Sequence, residues 1–170
     1  MMVQITVQNL LIFKTMSKDV MTSRSKHFSV EEFVRSDTAR KLGIDNTPGI
    51  LELMNIGVLM DFLDEVREAW GDAIYVSSGY RCKALNDAVG GKPTSGHLYG
   101  NAADLQAKGV SASRFWEWLM RWLRRNKKKY DECFIERSKG GVEWVHFALY
   151  SATGQQRMKN GQISGFYSPQ

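Results

Sequence analysis

The chain has 170 residues, 43% of them hydrophobic and 24% charged, which points to a single soluble domain with a real core. Two cysteines, Cys82 and Cys133, lie far apart without CxxC spacing, and this excludes a disulfide framework or a cysteine-based zinc knuckle. A formal net charge of +5 favours an anionic partner such as nucleic acid, a wall polymer or a membrane surface.

Residues 1–26 read as a loosely ordered extension. The apolar run Leu10 to Phe13 has no basic residues before it and no small-residue cleavage site after it. It is therefore not read as a secretory signal, and it is too short to span a bilayer; Met16 or Met21 could be the biological start. Order is expected from His27 onward. Ser29 followed by Glu32 is a capping-box pattern that opens a short helix. Leu42 to Asn46 reads as loop, and Thr47-Pro48 as the cap and first position of the longest helix. In that helix Leu51, Met54, Val58, Phe62 and Val66 recur at helical spacing up to Trp70-Gly71, which predicts the face that meets the core.

Ala73 to Ser77 reads as a strand, Arg81 to Val89 as a short helix closed by Gly90-Gly91, and Ala102 to Ala107 as a second strand. Ser113 to Arg125 is amphipathic, with Phe115, Leu119 and Trp122 on one side and Arg114, Glu117, Arg121 and Arg124 on the other. Cys133 to Glu136 and Val142 to Tyr150 form a hairpin around Gly140-Gly141. This order predicts an α+β domain over residues 27–150, helices packed on a small antiparallel sheet, with 151–170 as a tail.

Two of the three histidines sit in contexts that could share a metal. His97 and Asp104 are seven apart, across a glycine-containing turn and into a strand, with small residues Gly100, Ala102 and Ala103 between them. Glu143 and His146 are three apart at the start of a strand. Regular strand geometry sends such a pair to opposite faces, so they share a site only if the strand is irregular. Two imidazoles, one carboxylate ligand and a spare carboxylate are the inventory of a catalytic zinc site with an open position for water. Arg81, leaving a strand end beside Gly79, could bind a carboxylate or steady an oxyanion. The basic run Arg121 to Lys129 reads as the solvated end of a helix. The tryptophans Trp116, Trp118 and Trp122 lie mainly on its apolar side and do not read as base-stacking platforms. His27 stands outside both pairs.

Taken together, Ser78-Gly79-Tyr80-Arg81, Leu85-Asn86, Val89-Gly90-Gly91, Ser95-x-His97-x-x-Gly100-x-Ala102-x-Asp104 and Glu143-x-x-His146 resemble the zinc D-Ala-D-Ala carboxypeptidase family. Within it, the chain resembles the small peptidoglycan-cutting members, and the likeness extends from Phe28 through Pro48 and covers roughly residues 27 to 150. The resemblance implies a hedgehog/DD-peptidase-like fold with one zinc per chain held by His97, Asp104 and His146. It implies Glu143 as the base that takes a proton from water, Arg81 at the substrate or oxyanion, and Ser95 as a residue orienting the site. It also implies peptidoglycan peptides as substrate, cleaved as a carboxypeptidase or an endopeptidase, with no specific nucleic acid and no membrane insertion. Without a signal, synthesis in the cytoplasm and action at the wall after release, as for a phage or prophage lysis enzyme, is the expected route. Two other readings stay open: a zinc-stabilised wall-binding module without turnover, and a basic nucleic-acid-binding domain.

Overall fold

Four antiparallel strands in the order β1-β2-β4-β3 form the frame of the molecule. The computed structural model describes residues 25–149; the expectations for residues 1–24 and for the tail from 151 lie outside them. The strands are β1 (Ile74–Ser78), β2 (Ala102–Ala107), β3 (Glu132–Arg137) and β4 (Glu143–Ala148). Helices are α1 (Val30–Val34), α2 (Asp37–Leu42), α3 (Ile50–Trp70), α4 (Lys83–Ala88) and α5 (Ala112–Arg125), with a 3-10 turn at Gly96–Tyr99. This is the α+β architecture expected from the sequence.

Strand alternation divides the sheet into two functional faces. One face carries Ile74, Val76, Ala103, Leu105, Val145 and Phe147, all buried against α3 and α5. From α3 come Ile56, Leu59, Met60, Leu63 and Val66, and from α5 Phe115, Leu119 and Leu123. The other face carries Asp104, Phe134 and His146 and lies under a cavity of about 910 Å³.

The expected face of α3 is corrected. Val66 is buried, but Leu51, Met54 and Val58 are 72%, 58% and 64% exposed. The helix is apolar on more than one side, so helical spacing alone allows two stripes. The sheet selects the one through Leu53, Ile56, Leu59 and Leu63. The helix also starts later than expected, capped by Gly49 instead of Thr47, while Gly71 closes it in the left-handed region as expected. The helix α2 has no counterpart in the sequence reading, which assigns loop only to Leu42 to Asn46; Ser36 caps it by accepting from Ala39 N–H, and Gly43 ends it. The capping pattern at α1 is present, with Ser29 N–H donating to the Glu32 carboxylate at 2.8 Å.

Two loop anchors bring the site segments to the sheet. Asn46 donates to Val34 O and Tyr80 O and accepts from Cys82 N–H at 2.7 Å, so one amide ties the loop before α3 to the loop after β1. Gly100 ends the 3-10 turn at φ +71°, where a Cβ would stand 2.6 Å from Glu52 O. Gly43 has a similar φ of +65° with open space around it. Gly43→Ala should therefore cost about 1–2 kcal/mol for the backbone conformation alone. Gly100→Ala adds a collision with the α3 backbone and should cost more, which chemical denaturation of the two variants will compare.

Candidate metal centre

Each part of the site is placed by a different element. His97 sits in the 3-10 turn, capped by Ser95, whose hydroxyl accepts from His97 N–H at 3.3 Å. Asp104 lies in the middle of β2 and His146 directly opposite it on β4. All three side chains are buried, and one donor atom from each lies within 4.8 Å of the others. Asp104 Oδ1 is 3.2 Å from His97 Nε2 and 3.0 Å from His146 Nδ1. Ligand atoms about 2.0–2.2 Å from a tetrahedral zinc stand roughly 3.4 Å apart, so these separations suit one ion.

The outward nitrogens show why the inward ones are available. His97 Nδ1–H donates to Gly79 O at 2.6 Å, and His146 Nε2–H donates to Glu132 Oε2 at 3.2 Å. An acceptor on the outer nitrogen fixes the tautomer and leaves the inner lone pair for a metal. The two rings meet edge to face with centroids 5.0 Å apart, and Phe134 stacks on His146 at 4.8 Å. The donor set and its outer supports therefore fit a zinc ion.

The electrostatics of these three side chains point the same way. Burial lowers the pKa of His97 below that of a free imidazole, against the pull of Asp104. Burial also opposes charge on His146, but its bonds to Asp104 and Glu132 outweigh burial and push it up to about 10. Asp104 is held well below the usual carboxylate range: burial would raise it, yet the two imidazoles more than offset that. A proton on His146 thus stands in for part of the charge a cation would supply.

Arg81 completes the surroundings of Asp104. Its Nη2 donates to Asp104 Oδ2 at 2.7 Å and its Nε to Ser78 Oγ at 2.9 Å. The guanidinium occupies one carboxylate oxygen and leaves the other facing the imidazoles. Its position depends on Gly79, where a Cβ would lie 2.5 Å from Phe33 O. Close approach there lets Tyr80 N–H donate to Phe33 O and Arg81 N–H to His97 O.

Glu143 is not brought to this group. The β3–β4 ladder runs through six consecutive pairs, from Arg137 with Glu143 to Glu132 with Ala148. With no bulge, Glu143 shares the face of Val145 and Phe147, opposite His146. Its carboxylate is held by Arg137, with Nε–H donating at 2.9 Å and Nη2–H also bound. The irregular strand that the resemblance required is absent from β4. His27 also lies elsewhere, with its backbone N–H on Asp64 and its ring beside Glu68.

Glu132 and Glu136 were not singled out from the sequence, although the signal was available. Glu136 alternates with the buried Cys133 and Ile135 in the predicted strand Cys133 to Glu136, and Glu132 precedes that strand by one residue, so both fall on the face of Phe134. Cys82 and Cys133 are free thiols, as expected. The basic end of α5 is largely exposed, with Lys128 paired to Glu65, and no helix among the described residues is long and apolar enough to cross a membrane.

Removing a bound metal should expose this balance. Chelation should lower Tm, and zinc added back at 100 times its Kd should restore about 2.7 kcal/mol of stability. Asp104→Ala should abolish that zinc-dependent shift, as thermal melts with and without chelator will show.

The chain matches the model of the family described as Peptidase M15 over residues 26–140. That stretch, about two-thirds of the chain, includes Arg81, Ser95, His97 and Asp104 and stops before Glu143 and His146. No curated protein matches the chain significantly. With a buried His-Asp-His group on the sheet and a family match across most of the domain, the chain belongs to the M15 peptidases, a zinc-dependent family.

Proposed function

We propose that this M15 peptidase is a zinc enzyme that hydrolyses peptide bonds in peptidoglycan stem peptides. The observation that carries the reading is the position of His97, Asp104 and His146. Their donor atoms converge at the sheet surface, and His97 and His146 line an open cavity of about 910 Å³. Zinc bound there would polarise the scissile carbonyl and bring the pKa of a water near 7.

The chain's own residues supply binding and orientation. Arg35, Arg81, Lys92 and Lys139 line the cavity, and stem peptides bear free carboxylates that suit such a lining. Arg81 is the cation nearest the ligands. Its Nη2 and Nε are held by Asp104 and Ser78, while Nη1 has no partner among the described residues. We assign Nη1 to a substrate carboxylate or to the oxygen that gains charge as the amide is attacked. Ser95 holds the turn that presents His97. Carboxypeptidase and endopeptidase action both fit this cavity.

A zinc-stabilised wall-binding module without turnover is the second reading. The observation favouring it is the orientation of Glu143, which leaves the ligands without the base expected from the sequence. The two readings separate on one experiment. Zinc-loaded protein is incubated with purified peptidoglycan, and soluble products are identified by mass spectrometry. Free D-amino acid marks a carboxypeptidase and split stem peptides mark an endopeptidase. Stoichiometric zinc with no product rejects the enzyme. His97→Ala should lose bound zinc and product release together.

A further inference from the structure

The reaction just proposed needs a group to take the proton of the attacking water, and Glu143 faces away. Among the described residues, the carboxylates that line the cavity are Asp37, Glu132 and Glu136. Asp37 is largely exposed on α2 and paired with Arg40. Glu132 is bound to His146 Nε2, so the imidazole ring stands between it and the inward Nδ1.

Glu136 differs from both. It pairs with Trp144 in the β3–β4 ladder, two residues along the strand from Phe134, the partner of His146. Two strand residues span about 7 Å of backbone, and Glu136 lines the same cavity as His97 and His146. One of its oxygens, Oε2, is fixed by Trp144 Nε1–H at 2.7 Å. The other, Oε1, has no hydrogen-bond partner among the described residues. Trp144 is two residues before His146, so strand alternation places the indole and the imidazole on the same cavity face.

We infer that Glu136 is the general base of this peptidase and that Trp144 is the positioning residue that aims it. The inference rests on the zinc-peptidase reading above. Glu136 Oε1 takes a proton from the water as its oxygen forms a bond to the amide carbonyl carbon. The C–N bond then breaks, and Glu136 passes the same proton to the leaving nitrogen. The products are a carboxylic acid, which keeps the water's second proton on its new oxygen, and an amine; that proton then passes to the amine, leaving a carboxylate and an ammonium, and Glu136 returns to its starting charge. Geometrically, a base carried on β3 replaces the glutamate expected three residues before His146 on β4.

The test uses the full chain loaded with zinc, purified muropeptides as substrate, and the variants Glu136→Gln, Glu143→Gln and Trp144→Phe. Glu136→Gln should lower kcat by about 10²–10⁴-fold, while elemental analysis still finds zinc near one per chain. Calorimetry should show that it still binds the uncleaved muropeptide as tightly as the wild type. Glu143→Gln should keep wild-type turnover. Trp144→Phe should lower kcat with KM unchanged, and adding it to Glu136→Gln should cost nothing further, a non-additivity that a merely structural tryptophan would not show. Full turnover in Glu136→Gln, or its loss in Glu143→Gln with zinc retained, overturns the assignment and leaves the peptidase reading standing. A wild type that holds zinc and releases no product overturns both. If Glu136→Gln instead loses its zinc, the residue is a support of the metal site and the base assignment is wrong.

Discussion

A buried carboxylate on the central strand pair organises this molecule. Asp104 is nearly inaccessible, and an isolated charge there would cost far more than the protein's net stability. It is kept charged by His97 and His146 at Oδ1 and by Arg81 at Oδ2. Those partners come from the 3-10 turn, from β4 and from the loop after β1. The satisfaction of one carboxylate therefore requires three chain segments to be in register. The β2–β4 pairing sets Asp104 opposite His146 with no adjustable linker between them. Breaking one partner would leave an uncompensated charge, which is usually costlier than the contact itself appears.

The same group explains why an α+β frame suits this chemistry. One face of the sheet buries Leu105, Val145 and Phe147 under α3 and α5, so the strands cannot slip by one residue without turning core residues outward. Because that face is fixed, Asp104 and His146 are fixed on the other. The helices pack on the opposite face of the sheet, and through it they set the register of Asp104 and His146. The placement of His97, in the 3-10 turn, depends instead on close backbone approach. Gly79 lies against Phe33, its carbonyl receives the His97 ring, and Arg81 N–H returns to His97 O. A local steric requirement at one glycine thus connects α1 to the His97 imidazole.

Strands and the grouping of His97, Asp104 and His146 were more legible in the sequence than helix faces and outer partners, and the reasons are physical. The strand β2 was read with its observed bounds because small apolar residues, a turn glycine before it and a glycine after it frame it clearly. The pairing of His97, Asp104 and His146 was suggested by residue type and order, and needed the sheet to place Asp104 opposite His146. The face of α3 was misread because Leu51, Met54 and Val58 repeat as regularly as the buried set, and only packing on the sheet distinguishes them. The helix α2 was missed because its signal is a single cap, Ser36, and one closing glycine. Asn46 looked like an ordinary turn residue. Its three bonds reach Val34, Tyr80 and Cys82, and such long-range partners leave no local trace.

Glu143 shows how far a spacing can be trusted. A glutamate three residues before a histidine shares its face on a helix or a bulged strand and opposes it on a regular one. The uninterrupted β3–β4 ladder decides between these, and it turns Glu143 toward Arg137. The neighbouring strand obeys the same alternation, so Glu132, Phe134 and Glu136 must share the face of His146. Once the hairpin is regular, the carboxylates available to the ligands come from β3. Their two different partners, an imidazole for Glu132 and an indole for Glu136, then give them different work. The first is held by a ligand and supports it. The second is anchored at one oxygen and open at the other, which is the state a proton acceptor beside a reacting water requires.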